Sequence, residues 1–164
     1  HYVGRTFIEP TQTIRAFSVK LKHNANRILV DKKRVILIDD SIVRGTTSIK
    51  IVQMMREAGA TEVHMRIAAP PIRHPDFYGI DTPVQDQLLA ANSSLEEMCD
   101  FIGADSLAFL TVDGLYKAMG HKNGRDNDNP AYTDHCFTGD YPTQLQDQKN
   151  DEKIQQLSLL SERR

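Results

Sequence analysis

From Lys33 onward the apolar positions alternate between strand-like and helix-like patterns. Residues 35–38 form an uninterrupted, β-branched-rich apolar run, the pattern of a parallel strand covered on both faces. Residues 47–58 place Ile49, Val52, Met54 and Met55 on one helical stripe, and Gly59 stands where that helix should end. A second strand is predicted over 63–69, stopped by Pro70 and Pro71. After the loop PPIRHPDFYGID, Thr82 and Pro83 suit the cap and first position of a short helix reaching Ala91. Ser94 with Glu97 three residues on is a capping-box pattern for a helix bearing Leu95, Met98, Phe101 and Ile102, closed by Gly103. Residues 107–110 predict a third strand, and Asp113 opens a brief helix to Met119. Strand, helix, strand, helix, strand implies an α/β fold: a parallel sheet with flanking helices, joined by right-handed crossovers.

The ends lack this rhythm. Residues 2–8 read as a short extended piece stopped by Pro10, followed by a basic segment with Arg15, Lys20, Lys22, His23 and Arg27. Its apolar residues keep no helical period, so it reads as a long connection, and its charge suits either a solvated face or anion binding. Past Gly120 the stretch HKNGRDNDNP is polar and turn-rich, expected to be mobile. A charged, Gln-rich tail begins at Gln144, giving an expected division into 1–143, with 1–30 as a flexible active-site loop region, and 144–164.

Bulk properties narrow the classes. A chain of 164 residues fits one domain with a sizeable core, and 40% hydrophobic against 26% charged residues is ordinary for a globular protein. A formal net charge of -2 gives no electrostatic reason to expect a nucleic-acid partner. Cys99 and Cys136 keep no metal-ligand spacing and read as free thiols of a reducing cytoplasm. No apolar run approaches a membrane span and no signal pattern opens the chain, so no membrane partner is expected. The start at His1 looks like a cut through a longer protein, or a processed or engineered beginning.

The chemistry concentrates in VILIDDSIVRGTTS, residues 35–48. In an open parallel sheet, ligands bind at the carboxyl ends of strands, and Asp39 and Asp40 lie at such an end. The following loop runs into a helix N-terminus, where unpaired backbone amides and the helix dipole favour an anion. Gly45 permits close backbone approach, and Thr46, Thr47 and Ser48 add short hydroxyl donors. The carboxylates suit the anion's neighbours instead, either ribose hydroxyls or a Mg²⁺ carried by a polyphosphate. The spacing lacks the Gly-x-x-x-x-Gly-Lys-Ser/Thr of a nucleotide triphosphatase loop. The remaining alternatives are an Asp serving as a helix cap and the paired Asp residues of phospho-acceptor metal sites.

VILIDDSIVRGTTS resembles the phosphoribosylpyrophosphate (PRPP) signature of the type I phosphoribosyltransferases. Together with YVGRTFIEP upstream and FYGIDTP, IGADSLAFLTVDGL and CFTGDYPT downstream, it resembles the amidophosphoribosyltransferase family over residues 1 to about 145. The resemblance implies a glycosyltransferase that makes 5-phosphoribosylamine from PRPP and glutamine in the opening step of purine synthesis. It implies that Asp39 and Asp40 hold the ribose hydroxyls and Mg²⁺. Ser41, Ile42, Val43, Arg44, Gly45, Thr46, Thr47 and Ser48 would then bind PRPP through its 5-phosphate. The family's closing loop matches residues 2 to about 27. Tyr2, Arg5, Phe7 and Ile8 are carried onto its ammonia path, with Arg5 and Lys22 in catalytic positions and Lys22 contacting the pyrophosphate.

The resemblance also implies an N-terminal glutaminase domain in a cytoplasmic, homo-oligomeric parent. That domain's nucleophilic Cys and a pyrophosphate-binding turn are not among these residues, so the fragment is expected to be inactive alone. Some relatives hold an iron–sulfur cluster; here those positions read Asp76, Thr133 and Cys136, and one thiol predicts no such cluster. Asp81 falls near the family's nucleotide feedback sites. His64, His74, His121 and His135 read as solvated or hydrogen-bonded rather than catalytic. Two other readings are a non-catalytic phosphoribosyl-fold regulatory module and a transferase using free ammonia.

Overall fold

The computed structural model describes residues 25–143. The expected extended piece at 2–8, the basic segment through His23, and the tail from Gln144 lie outside the described residues. So do Tyr2, Arg5, Phe7, Ile8 and Lys22.

Within the described residues the chain runs α1 (Arg27–Val30), β1 (Arg34–Asp39), α2 (Thr46–Glu57), β2 (Glu62–Ile67), a 3-10 turn (Gln85–Gln87), α3 (Leu89–Asn92), α4 (Leu95–Ile102), β3 (Ser106–Phe109), α5 (Val112–Ala118) and α6 (His135–Thr138). The three strands form one parallel sheet in the order β1-β2-β3, with Val35 opposite Val63 and Met65 opposite Leu107. This is the expected α/β arrangement, with strand limits shifted by one residue or more.

The register sorts the side chains. Val35, Leu37, Val63, Met65, Ile67 and Leu107 share one face, which α2 and α4 cover through Val52, Met98 and Ile102. Val63 and Met65 are fully buried. Burial of a side chain of this size contributes roughly 1.5–3 kcal/mol, so the β2 face is the centre of stability. Asp105 joins the layers at their rim: its Oδ2 accepts from the Val63 amide at 2.6 Å and from Arg56 Nη2 at 2.8 Å.

The opposite face departs from the expectation of a doubly covered strand. Ile36 and Ile38 are 65% and 79% exposed among the described residues. In register beside them stand His64 and Arg66, both hydrogen-bonded to the Ser106 hydroxyl. This face is therefore apolar on β1 and polar on β2 and at Ser106 of β3.

Local signals explain where elements begin and end. Ser94 and Glu97 form the expected reciprocal capping box of α4, and Gly103 closes that helix in the left-handed conformation. Leu95 and Phe101 stay about half exposed, so the buried stripe of α4 is narrower than its sequence suggests. The helix expected from Thr82 does not start there. The Thr82 hydroxyl instead accepts from the Asp76 amide, and the segment breaks into the 3-10 turn and the one-turn α3. A one-turn helix, α1, lies in what reads as an unstructured connection, with the Asn26 side chain accepting from the Ile28 amide.

Residues 121–130, expected to be mobile, belong to a stretch to residue 140 that is pinned by charge. Arg125 reaches both oxygens of Asp134, at 2.7 and 3.1 Å, and Asp140 at 2.6 Å. The Tyr116 hydroxyl donates to Asp134 at 2.7 Å. The Arg125 and Asp134 side chains are only 9% and 4% exposed, which explains why a polar stretch folds against the domain. Burial pushes the Asp134 carboxyl up, but its bonds from Arg125, Tyr116 and Thr138 outweigh that and hold it below the usual range.

Candidate functional site

β1 delivers Asp39 to the carboxyl end of the sheet, opposite Ile67, and the chain leaves the strand at Asp40. Each carboxylate bonds the next residue: the Asp40 amide donates to Asp39 Oδ1, and the Ser41 amide to Asp40 Oδ1, both at 3.0 Å. These short-range bonds help to fix the exit of the strand, and the Asp39 carbonyl accepts from the Ala68 amide at 2.9 Å.

The loop from Ser41 to Gly45 is held from below. Ile42 is 2% exposed and sits in the core. The Val43 carbonyl accepts from the Leu89 amide at 2.9 Å, and Arg44 Nε donates to Gln87 Oε1 at 3.1 Å. Gly45 ends the loop as the N-cap of α2, at φ +75°, with no side chain capping the helix. A Cβ at Gly45 would come within 2.8 Å of Leu89 Cδ2 and 3.1 Å of the Phe101 ring, so glycine answers both the backbone and the space. The first-turn amides of α2 thus follow directly on a backbone cap, the arrangement that accepts anions at helix N-termini.

Of the site residues read from the sequence, Asp39 to Ser48 form one continuous stretch, and the fold gives them different faces. Thr46 and Thr47 are exposed on the first turn of α2. Ser48 is 3% exposed and turns into the protein, and Ile42 can offer a ligand only its backbone. Arg44 and Ser41 are half-buried beside the loop. Asp39 and Asp40 supply hard carboxylate oxygens at adjacent positions, a donor set that fits Mg²⁺.

A second group of polar residues holds one member that sequence reasoning missed. His135, placed in a loop by its neighbours, begins α6, is 4% exposed, and bonds Asp76 Oδ1 through Nε2 at 2.7 Å. Asp76 Oδ2 accepts the amides of Tyr78 and Ile80. Burial raises this carboxyl, but those amides and His135 outweigh it and hold Asp76 below its usual range. Donor atoms of Asp76, His135 and Cys136 all lie within 4.8 Å of one another. No periodicity signals this meeting; the hint was the resemblance, which sets Asp76 and Cys136 at the cluster positions of some relatives. The other histidines behave as expected where bonds are drawn: His64 lies between Ser106 and Glu62, and His121 meets the Tyr132 hydroxyl. An iron–sulfur cluster does not fit Asp76, Thr133 and Cys136, which offer a single thiol.

Comparison with known proteins gives these motifs a lineage. No protein-family model matches the chain. The amidophosphoribosyltransferase of Rhizobium etli is 62% identical over 162 residues, which is 98% of this chain and 32% of the relative. That of Bacillus subtilis is 55% identical over 144 residues, 88% of this chain and 30% of the relative. Among solved structures, the glutamine PRPP amidotransferase from B. subtilis complexed with ADP and GMP matches with 54% identity and a TM-score of 0.71. That match covers 88% of this chain and 31% of the solved one. The chain spans about a third of the length of the curated relatives it matches. The sheet is part of a type I phosphoribosyltransferase domain, and the chain belongs to the amidophosphoribosyltransferase family.

Proposed function

We propose that residues 39–48 bind PRPP and that the chain supplies this part of an enzyme making 5-phosphoribosylamine. The observation that carries the reading is local. Two adjacent carboxylates at a strand's carboxyl end lead, through a loop pinned at Val43 and Arg44, to a left-handed glycine capping a helix N-terminus. In this reading the loop and first-turn amides, with the Thr46 and Thr47 hydroxyls, take the 5-phosphate. Asp39 and Asp40 take the ribose hydroxyls and hold Mg²⁺, which when bound offsets the charge of the diphosphate. The helix dipole adds only about 0.3–1 kcal/mol, whereas each hydrogen bond to a charged group contributes about 1.5–3 kcal/mol. Amide geometry, more than dipole, should therefore set phosphate affinity.

Displacement of pyrophosphate from C1 by ammonia has oxocarbenium character, so the protein's contribution is positioning and charge stabilisation. Arg5 and Lys22 are assigned catalytic roles, with Lys22 contacting the pyrophosphate, and Tyr2, Arg5, Phe7 and Ile8 are assigned to the ammonia path. A glutaminase domain, homo-oligomeric assembly and a cytoplasmic setting complete the proposal for the parent, and the chain alone is expected to lack the complete reaction.

Calorimetric titration with PRPP in the presence of Mg²⁺ tests the site. Binding is expected, and Asp39→Asn should weaken it at least about tenfold, or about 1.4 kcal/mol, with the circular dichroism spectrum unchanged. Absence of any heat at high PRPP, or unaltered affinity in the variant, would remove the assignment.

A further inference from the structure

We propose that Asp76, His135 and Cys136 form a binding site for one divalent transition-metal ion of the zinc class. The proposal is independent of the PRPP reading. Three observations carry it.

The donor set is chemically selective. A carboxylate, an imidazole and a thiol converge so that one ligand atom from each lies within 4.8 Å of the others. Thiolate and imidazole suit zinc and its neighbours, whereas Mg²⁺ and Ca²⁺ take oxygen donors almost throughout. The convergence is long-range as well, since Asp76 and His135 stand 59 positions apart in sequence.

The histidine is also incompletely partnered. Its Nε2 faces Asp76 Oδ1, yet Nδ1 is buried with no hydrogen-bond partner, alone in this respect among buried side-chain nitrogen and oxygen atoms of the described residues. An unpaired nitrogen on the imidazole that stands with two other ligand-type groups leaves the bonding of that ring incomplete, as expected where an ion or water completes the structure. The surroundings would strengthen coordination, because the rings of Tyr78 and Tyr141 lie 5.1 and 4.9 Å from the imidazole and exclude solvent from it.

Charge balance agrees. A carboxylate, a thiolate and a neutral imidazole together neutralise a dication. Binding through sulfur displaces the thiol proton to solvent as the sulfur–metal bond forms. Cys136 is half-buried, leaving a side open for entry and for a solvent ligand.

Co²⁺ is the probe, added to the metal-stripped chain and followed by the thiolate-to-cobalt charge-transfer absorption. A band that appears at one equivalent, survives Cys99→Ser and vanishes in Cys136→Ser supports the site. Asp76→Asn and His135→Gln should each weaken Co²⁺ binding by about 10–100-fold. In the unmodified chain, Zn²⁺ should slow alkylation of Cys136, located by peptide mass, and a chelator should restore it; this readout does not depend on any variant folding. No charge-transfer band, a band that follows Cys99, or alkylation of Cys136 indifferent to Zn²⁺ would overturn the proposal.

Discussion

Replacing Gly45 with alanine strikes the hinge between the loop and α2, and two physical terms compete to set its cost. Gly45 holds φ +75°, and an alanine forced into that region costs about 1–2 kcal/mol. The added Cβ would also approach Leu89 Cδ2 to 2.8 Å and two Phe101 ring atoms to 3.1 and 3.3 Å. Overpacking in a rigid core costs about 1–3 kcal/mol, but here both neighbours can yield. Leu89 presents the free end of its side chain, and Phe101 is 51% exposed, so its ring can swing outward. The steric contribution should therefore fall at or below the low end of that range, and the backbone term should dominate. The expected destabilisation is about 2 kcal/mol, read as a lowered urea midpoint at unchanged slope. Gly45→Asn isolates the terms: it adds the same Cβ but tolerates the left-handed region better, so it should cost less than alanine. A Gly45→Ala chain within about 0.5 kcal/mol of the parent would refute the reasoning, since that is the scatter of substitutions touching nothing. So would an alanine penalty erased by Leu89→Ala, which would show that crowding had governed instead of φ.

Arg125→Ala should destabilise by about 3–5 kcal/mol, because it leaves Asp134 buried without its main partner; a loss under about 1 kcal/mol by chemical denaturation would contradict the pinning of 121–140. Folded Asp76 and Asp134 both titrate below their unfolded values. Their contribution is therefore full above about pH 4 and lost as pH falls through the depressed values. Near-ultraviolet circular dichroism of the tyrosines should hold steady from neutral pH to about pH 5 and collapse below about pH 4, while a signal insensitive to acid would refute the sign. Ser94→Ala removes the cap of α4 and should cost about 1 kcal/mol by thermal or urea unfolding, whereas no change would show the capping box to be idle.

What the sequence disclosed was whatever is decided over a few neighbouring residues. The capping box at Ser94 and Glu97, the stop at Gly103 and the apolar runs of β2 and β3 each depend on a local pattern, and each stands close to where it was expected. The loop between Asp40 and Gly45 was legible for the same reason: strand end, glycine and helix start are consecutive. Thr82 failed because its hydroxyl had a competing acceptor role six residues away at Asp76, which outweighed a capping preference. Arg125 failed differently. It lies in a stretch that looks solvent-bound by composition, and only the fold brings its guanidinium together with the Asp134 carboxylate and the Tyr116 phenol, with solvent excluded. Polarity alone therefore misjudged mobility.

β1 carries this distinction furthest. Its run of Val35, Ile36, Leu37 and Ile38 has the composition of a strand with two buried faces, yet the described residues cover only the Val35 and Leu37 side. The same register that exposes Ile36 and Ile38 places His64 and Arg66 beside them, so the uncovered face is not uniformly apolar. An isoleucine pair more than half exposed at the rim of a three-stranded sheet is unfavourable for an isolated domain and also leaves an edge open to pairing. That conflict disappears if the sheet is only part of its layer, and the chain spans about a third of the length of the relatives it matches. The amino-acid pattern of β1 thus records the environment of the larger domain. Asp39 and Asp40 end that strand, so the placement of the carboxylates depends on packing to which this segment contributes one side.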